Sequence, residues 1–281
     1  MGQASILVAL LTPFTPGGEV DREALGGHAA ELRSAGVDGF FVCGTTGEGP
    51  LLDDEEVASV TGTVIGICGG SCRVIVQVGR ASTKATLRLL SRVLDLGAHG
   101  VTAVTPYYYE LDDAKLEGHY KQLIHVADNH PTYAYVIPRR SGNDITPQLS
   151  RTLAESGLAG IKDSTRSLER HLAYLEIARE PGVRNFEVYM GTDSLAFDAF
   201  ENGSNGLVSA IANAHPEMFV CLRRAILNGR IDEARKYQDE INAVRQSMSH
   251  GDTITQLKSA VSQRWQGCGF TYPRGARPPL G

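Results

Sequence analysis

Short apolar runs alternate with longer amphipathic ones through most of the chain. The short runs, bounded by glycine, proline and polar turns, predict eight strands at 6–11, 39–42, 74–78, 100–104, 132–137, 158–162, 186–190 and 206–210. Between them the apolar positions recur at helical spacing and predict helices near 21–35, 54–66, 82–97, 112–128, 146–156, 167–179 and 193–201. Leu87, Leu90, Val93, Leu94 and Leu96 mark one such face, and Leu168, Leu172, Leu175 and Ile177 another. Asp21, Ser82 and the Asp53/Glu56 pair stand where helix N-caps belong, and Gly36, Gly97 and Gly157 where helices end. Strand and helix thus repeat as a unit of roughly 30 residues, the length of a βαβ step.

Eight such strands imply a (β/α)₈ TIM barrel rather than an open doubly wound sheet. No glycine fingerprint of a dinucleotide site opens a helix; Gly69-Gly70 precedes a strand instead. Helical patterns at 216–228, 231–248 and 253–265 exceed what a barrel needs. Residues 1–215 are therefore read as the barrel, and 216–281 as a C-terminal helical extension with an irregular tail around Tyr272 to Pro279.

Composition narrows the classes. With 281 residues and 42% hydrophobic positions the chain has the make-up of a globular protein. A net charge of −5 without Lys/Arg blocks argues against a nucleic-acid surface, and no apolar run reaches membrane-spanning length. The run at 6–11 lacks a basic leader, so it makes a poor signal peptide and the expected location is the cytoplasm. Five cysteines at 43, 68, 72, 221 and 268 form no disulfide framework, and no Cys/His cluster completes a metal site around Cys68 and Cys72. His28, His119, His125 and His171 fall in helices and read as surface or packing residues.

One residue breaks the hydrophobic pattern in a way that suggests chemistry. Of six lysines, those at 84, 115, 121, 236 and 258 lie in polar helical stretches and read as solvated, whereas Lys162 stands at the carboxyl end of an apolar strand. A lysine there is costly unless paired or used. Desolvated, its amine attacks a ketone carbon to form a Schiff base. In a barrel the strand ends converge, and the segments that follow them here are polar: Thr12-Pro13-Phe14, Gly44-Thr45-Thr46-Gly47-Glu48, Thr105-Pro106-Tyr107-Tyr108-Tyr109, Pro138-Arg139-Arg140-Ser141-Gly142 and Gly191-Thr192-Asp193. Loop amides and the Thr45 and Thr46 hydroxyls suit a small carboxylate, and a buried tyrosine linked to a threonine suits a proton shuttle, so the minimal substrate is a 2-oxo acid. Each element also has a plainer reading. The glycine–threonine loop is equally a tight turn, the tyrosines a subunit contact, Arg139 and Arg140 a solvated pair, Glu48 the start of a helix, and Gly191-Thr192-Asp193 a helix cap.

These motifs, with Tyr135-Val136-Ile137-Pro138 and Gly160-Ile161-Lys162-Asp163, resemble the pyruvate-dependent class I aldolase superfamily of dihydrodipicolinate synthase and N-acetylneuraminate lyase, over nearly the whole chain. The resemblance implies that Lys162 is the Schiff-base lysine and Tyr135 the neighbouring phenol. Thr45 would link Tyr135 to Tyr108 in a proton relay, while Thr46 and Gly44 would hold the pyruvate carboxylate and Gly191 and Val208 would contact it. It implies no metal and no dissociable cofactor, and a homotetramer built from tight dimers in which Tyr108 serves a neighbouring subunit. The substrates would be a 2-oxo acid and an aldehyde. Arg140 matches the arginine that binds the aspartate semialdehyde carboxylate in the synthases. Val136, in place of the usual asparagine, and Gly49-Pro50-Leu51-Leu52 look more like the 2-keto-3-deoxy sugar acid aldolases and related dehydratases or hydratase-aldolases. A barrel that binds a 2-oxo acid without turning it over is the non-enzymatic alternative.

Overall fold

The computed structural model describes residues 4–248 and 252–264. Cys268 and the tail around Tyr272 to Pro279 lie outside the described residues. Eight strands run β1 (Ser5–Ala9), β2 (Gly39–Val42), β3 (Arg73–Gln77), β4 (Gly100–Val104), β5 (Thr132–Val136), β6 (Gly160–Asp163), β7 (Glu187–Met190) and β8 (Gly206–Ser209). They pair in chain order in a closed barrel, with a helix after each of β1 to β7 and three further helices, Pro216–Leu227, Ile231–Ser247 and Thr253–Arg264, after β8. This is the (β/α)₈ fold with a C-terminal helical extension. Each expected strand is present, with ends shifted by up to two residues.

The helix starts follow the side-chain chemistry. Asp21 accepts from the Ala24 amide, Ser82 from the Ala85 amide, and Asp53 and Glu56 form a reciprocal capping box. Gly36, Gly97 and Gly157 adopt positive φ just past their helices, a conformation without penalty for glycine.

The chain divides into two compact units. Among the described residues, one comprises Ile75–Val208 with Ala4, the other Ser5–Val74 with 209–248 and 252–264. In the first, β4 to β8 stack in parallel with Tyr135 opposite Lys162, and Lys162 opposite Tyr189. Gly160 opens β6 against the β7 backbone: a Cβ there would stand 2.0 Å from the Glu187 carbonyl oxygen, so no larger residue fits.

In the second unit the C-terminal helix packs Leu257 and Val261 against Leu11 and Ala214. Asn213 joins the end of β1 to the segment after β8: its Nδ2 donates to the Ala9 and Ala210 carbonyls, and its Oδ1 accepts from the Leu11 amide. His28 Nε2 lies 3.1 Å from the same oxygen. One expectation fails in this unit. Lys258, read as solvated, has 0% exposure and bonds Glu48 Oε1 at 2.7 Å, with Nζ 4.4 Å from the Phe14 ring centroid. It occupies the helix face that carries Leu257 and Val261, and it is tolerable there because the carboxylate is buried with it.

His28 and His119 are buried and their imidazoles are pushed down from 6.5 to about 4, chiefly by desolvation. The unfolded chain binds protons at these sites from about pH 6.5 downward, while the folded protein resists until about pH 4. Stability from these groups is therefore complete above 6.5 and lost as pH falls to 4, by about 3 kcal/mol for each group. Urea midpoints should drop across that window, and the His28 ring protons should show no titration in the folded protein near pH 6.5. A His28 ring that titrates at its ordinary value would refute the account.

Candidate active site

β6 ends with a charged pair of residues on an otherwise apolar strand. Lys162 retains 5% exposure, and burial brings its ammonium down from 10.5 to about 7, with the Asp193 charge opposing the shift. The parallel register sets Tyr135 of β5 directly beside it. Residues opposite one another in a sheet project from the same face, and here Lys162 Nζ lies 4.0 Å from the centroid of the buried Tyr135 ring. Gly191, one residue beyond β7, makes room for the lysine stem. A Cβ at that position would be 3.3 Å from Lys162 Cε, 2.2 Å from Ser164 Oγ and 2.8 Å from the Asp163 carbonyl oxygen. The Gly191 amide donates to that same carbonyl at 2.6 Å, so the end of β7 is clamped to the end of β6. Val208, in β8, is buried.

Asp163, next to Lys162, faces the opposite side of the strand. It accepts from the Thr165 amide at 2.8 Å and stands 3.3 Å from His171 Nδ1, with both side chains buried. Of the two readings of His171, surface or packing, the structure shows packing, against β6. A lysine–phenol pair on one face and a histidine–carboxylate pair on the other give the strand two separate polar environments.

Arg140 and Tyr108 lie in the same unit but are not buried with the lysine. The segment after β5, for which the sequence pattern predicts no element, forms a one-turn helix, Pro138–Ser141, closed by Gly142 at φ 81°. Proline at its first position favours the turn, and the Ser141 hydroxyl accepts from Thr105 Oγ1 at 2.7 Å. Arg139 and Arg140 project from it exposed, without an ion-pair partner among the described residues. Tyr108, in the loop after β4, is 87% exposed at φ 84° and meets Tyr109 edge to face at a centroid distance of 5.0 Å.

Gly44, Thr45 and Thr46 lie in the other unit, in the turn that leaves β2. Their glycines serve close packing against the chain itself. A Cβ at Gly44 would fall 2.8 Å from the Phe41 ring, one at Gly47 2.7 Å from the Leu10 carbonyl, and one at Gly49 1.7 Å from the Cys43 carbonyl. Thr12 Oγ1 donates to the Gly47 carbonyl at 2.7 Å, and Thr45 and Thr46 are half-buried. Glu48 precedes a short 3₁₀ turn, Gly49–Leu51, but its φ of 57° sends the side chain inward to Lys258. The buried Glu48–Lys258 pair is the feature of this turn that sequence reading missed; the visible signal was a lysine beside the apolar positions of an amphipathic helix.

Among the described residues no group of three His, Cys, Asp or Glu side chains is placed to hold a metal ion, and no helix is long and apolar enough to cross a membrane. A desolvated amine against a phenol, at the carboxyl end of a barrel strand, is suited to carbonyl chemistry by imine formation.

Comparison with known proteins agrees with that chemistry. The model of the dihydrodipicolinate synthetase family matches residues 3–281. A 4-hydroxy-tetrahydrodipicolinate synthase of Natronomonas pharaonis is 34% identical, over 92% of this chain and 87% of the relative. A 2-dehydro-3-deoxy-phosphogluconate/2-dehydro-3-deoxy-6-phosphogalactonate aldolase of Saccharolobus solfataricus is 31% identical, over 98% and 89%. Among solved structures, the E. coli K12 prophage protein YagE in complex with pyruvate superposes with a TM-score of 0.91 at 27% identity, over 100% of this chain and 93% of that one. The chain therefore belongs to the dihydrodipicolinate synthetase family, and its activity is that of a pyruvate-dependent, lysine Schiff-base aldolase or lyase.

Proposed function

We propose that this protein condenses pyruvate with aspartate semialdehyde, with Lys162 as the nucleophile. The supporting observation for the lysine is its burial against Tyr135 with an amine brought to about neutral pKa. The uncharged amine attacks C2 of pyruvate, and water leaves as the Schiff base forms. Tyr135 supplies the proton that departs with the hydroxyl and later accepts one. Loss of a proton from C3 gives the enamine, which attacks the aldehyde carbon. The adduct is still an imine of the lysine and carries the amino group of aspartate semialdehyde; that amine attacks the imine carbon, closes the ring and expels the lysine by transimination.

Thr45 and Tyr108 complete the proton relay in this reading. Thr46 and Gly44 hold the pyruvate carboxylate through a hydroxyl and main-chain amides, and Gly191 and Val208 line the pyruvate. The exposed Tyr108–Tyr109 pair favours a subunit contact, and we assign a homotetramer of tight dimers with Tyr108 serving the neighbouring subunit.

The observation that carries the acceptor is Arg140. Its guanidinium is exposed on a turn beyond β5 and has no carboxylate partner among the described residues, so it is available to the carboxylate of aspartate semialdehyde. A second reading, cleavage of a 2-keto-3-deoxy sugar acid, is favoured by Val136 after the tyrosine and by the Gly49-Pro50-Leu51-Leu52 sequence.

Three outcomes are expected. Borohydride trapping of pyruvate should modify Lys162 in the intact chain and vanish in Lys162→Ala. Because the neutral amine attacks, the rate of adduct formation should climb with pH up to about 7 and then level; a folded alanine variant that still gains the adduct mass would remove Lys162 from the mechanism. Tyr135→Phe should slow turnover by roughly 10² to 10⁴-fold, and an unchanged rate would end its role as the shuttle. Arg140→Ala should lose turnover of aspartate semialdehyde while its Lys162 adduct with pyruvate still forms. If the wild-type protein ignores that aldehyde and cleaves a 2-keto-3-deoxy sugar acid, the synthase reading fails.

A further inference from the structure

Asn143 follows the turn that carries Arg140, in a polar stretch where an asparagine is ordinarily solvated. It is 4% exposed, and its side chain is committed to one stretch of backbone. Nδ2 donates to the Pro106 carbonyl at 2.7 Å and to the Tyr109 carbonyl at 2.8 Å, and Oδ1 accepts from the Leu111 amide at 2.8 Å. The Leu111 N–H fixes the orientation of the amide, because a flipped side chain would set donor against donor and oxygen against two carbonyls. The main-chain carbonyl of Asn143 accepts from Thr105 Oγ1 at 3.1 Å and Ser141 Oγ at 3.0 Å.

The two carbonyls held by Nδ2 bracket Tyr108. That residue is at φ 84°, a region costly for a tyrosine, and its ring is exposed. The ring's own contact is the edge of Tyr109, equally on the surface, so the direction of Tyr108 is set by its backbone. Such a conformation persists only when neighbouring bonds over-determine it, and the Asn143 amide supplies three bonds across residues 106–111.

We propose that Asn143 is a positioning residue for turnover: its amide holds the loop backbone in the one conformation that presents Tyr108 to the reaction. The inference rests on the reading in which Tyr108 belongs to the proton relay. Asn143 itself touches no substrate. Without its amide the Leu111 N–H and two carbonyls lose their partners, the loop relaxes from positive φ, and Tyr108 leaves its place.

The test uses the full chain and pyruvate alone. Exchange of the pyruvate methyl protons in D₂O, followed by NMR, reports formation and reprotonation of the enamine without an aldehyde. Asn143→Ala should slow this exchange roughly 10- to 100-fold, the scale of a misplaced catalytic group. Amide hydrogen exchange at Leu111 should accelerate in the same variant. Asn143→Ala/Tyr108→Phe should fall within about twofold of Tyr108→Phe alone, since a residue that acts through another adds nothing once that other is gone. A merely structural asparagine would give a multiplicative double variant. Asn143→Ser, which keeps a hydroxyl in the site, is read through the same cycle if the alanine variant does not fold. Wild-type methyl exchange in a folded Asn143 variant, or multiplicative effects in the cycle, overturns the proposal and leaves Tyr108 in the relay. Wild-type exchange in Tyr108→Phe instead removes Tyr108 from the relay, and the positioning role falls with it.

Discussion

An ammonium group withdrawn from water loses several kcal/mol of solvation even after the protein relaxes around it, and two lysines in this protein are buried in that way. Lys258 meets the loss with a carboxylate. Glu48, itself 4% exposed, bonds it at 2.7 Å, so that burial lowers its pKa against direct opposition from the bound charge. Lys162 lies over the face of a phenol, with the Asp193 charge opposing its desolvation, and its pKa settles at about 7. The first arrangement keeps a charge and uses it as a tether. The second gives up much of the charge and, in the reading we propose, frees a nucleophile. The same physical penalty thus supports the framework in one place and the chemistry in the other.

The close packing around both lysines follows from small residues at strand ends. Gly160 lets β6 start against the β7 backbone, and Gly191 leaves the space through which the Lys162 stem runs. In the other unit, Gly47 and Gly49 bring the turn after β2 onto the carbonyls of Leu10 and Cys43, and this close course, with φ 57° at Glu48, turns the carboxylate towards Lys258. Glycine at these positions is required by neighbouring backbone. The loop of residues 44–49 is therefore a rigid piece of the framework, and its threonines are presented by a turn with little freedom to move.

Much of this was legible in the sequence, and for identifiable reasons. Strands read clearly because each is a short apolar run closed by glycine or a polar turn, and helices because caps such as Asp53 with Glu56 act within four residues of the chain. Lys162 was legible because a single charge stands out against Ile161 and the apolar residues before it. Lys258 was not, because the partner that makes its burial possible lies 210 residues away. A lysine between apolar helix positions looks solvated until that carboxylate is in place. Asn143 was hidden for a related reason. Asparagine in a polar turn has an adequate local explanation, and nothing near it in sequence shows that its amide is bonded to a segment more than thirty residues earlier. The short helix over Pro138–Ser141 was missed because four residues are too few for a periodic pattern to register.

The acceptor aldehyde is a question of a different kind from the fold or the lysine. The synthase of Natronomonas pharaonis and the sugar acid aldolase of Saccharolobus solfataricus are 34% and 31% identical to this chain, so overall similarity does not separate their reactions. Shared architecture fixes the imine step, while the second substrate is chosen by side chains at the rim. There the candidate acceptors differ: aspartate semialdehyde brings a carboxylate, whereas the aldehyde released from an unphosphorylated deoxy sugar acid brings only hydroxyl groups. A carboxylate is recognised best by a guanidinium fork, and Arg140 offers one on a turn whose geometry is set by Pro138 and by the Thr105–Ser141 hydrogen bond. Val136 weighs less, because it is wholly buried in β5 and its side chain points away from the face that Tyr135 shares with Lys162. In the reading we propose, the charge of Arg140, rather than the buried Val136, carries the choice, and it favours an acceptor with a carboxylate of its own.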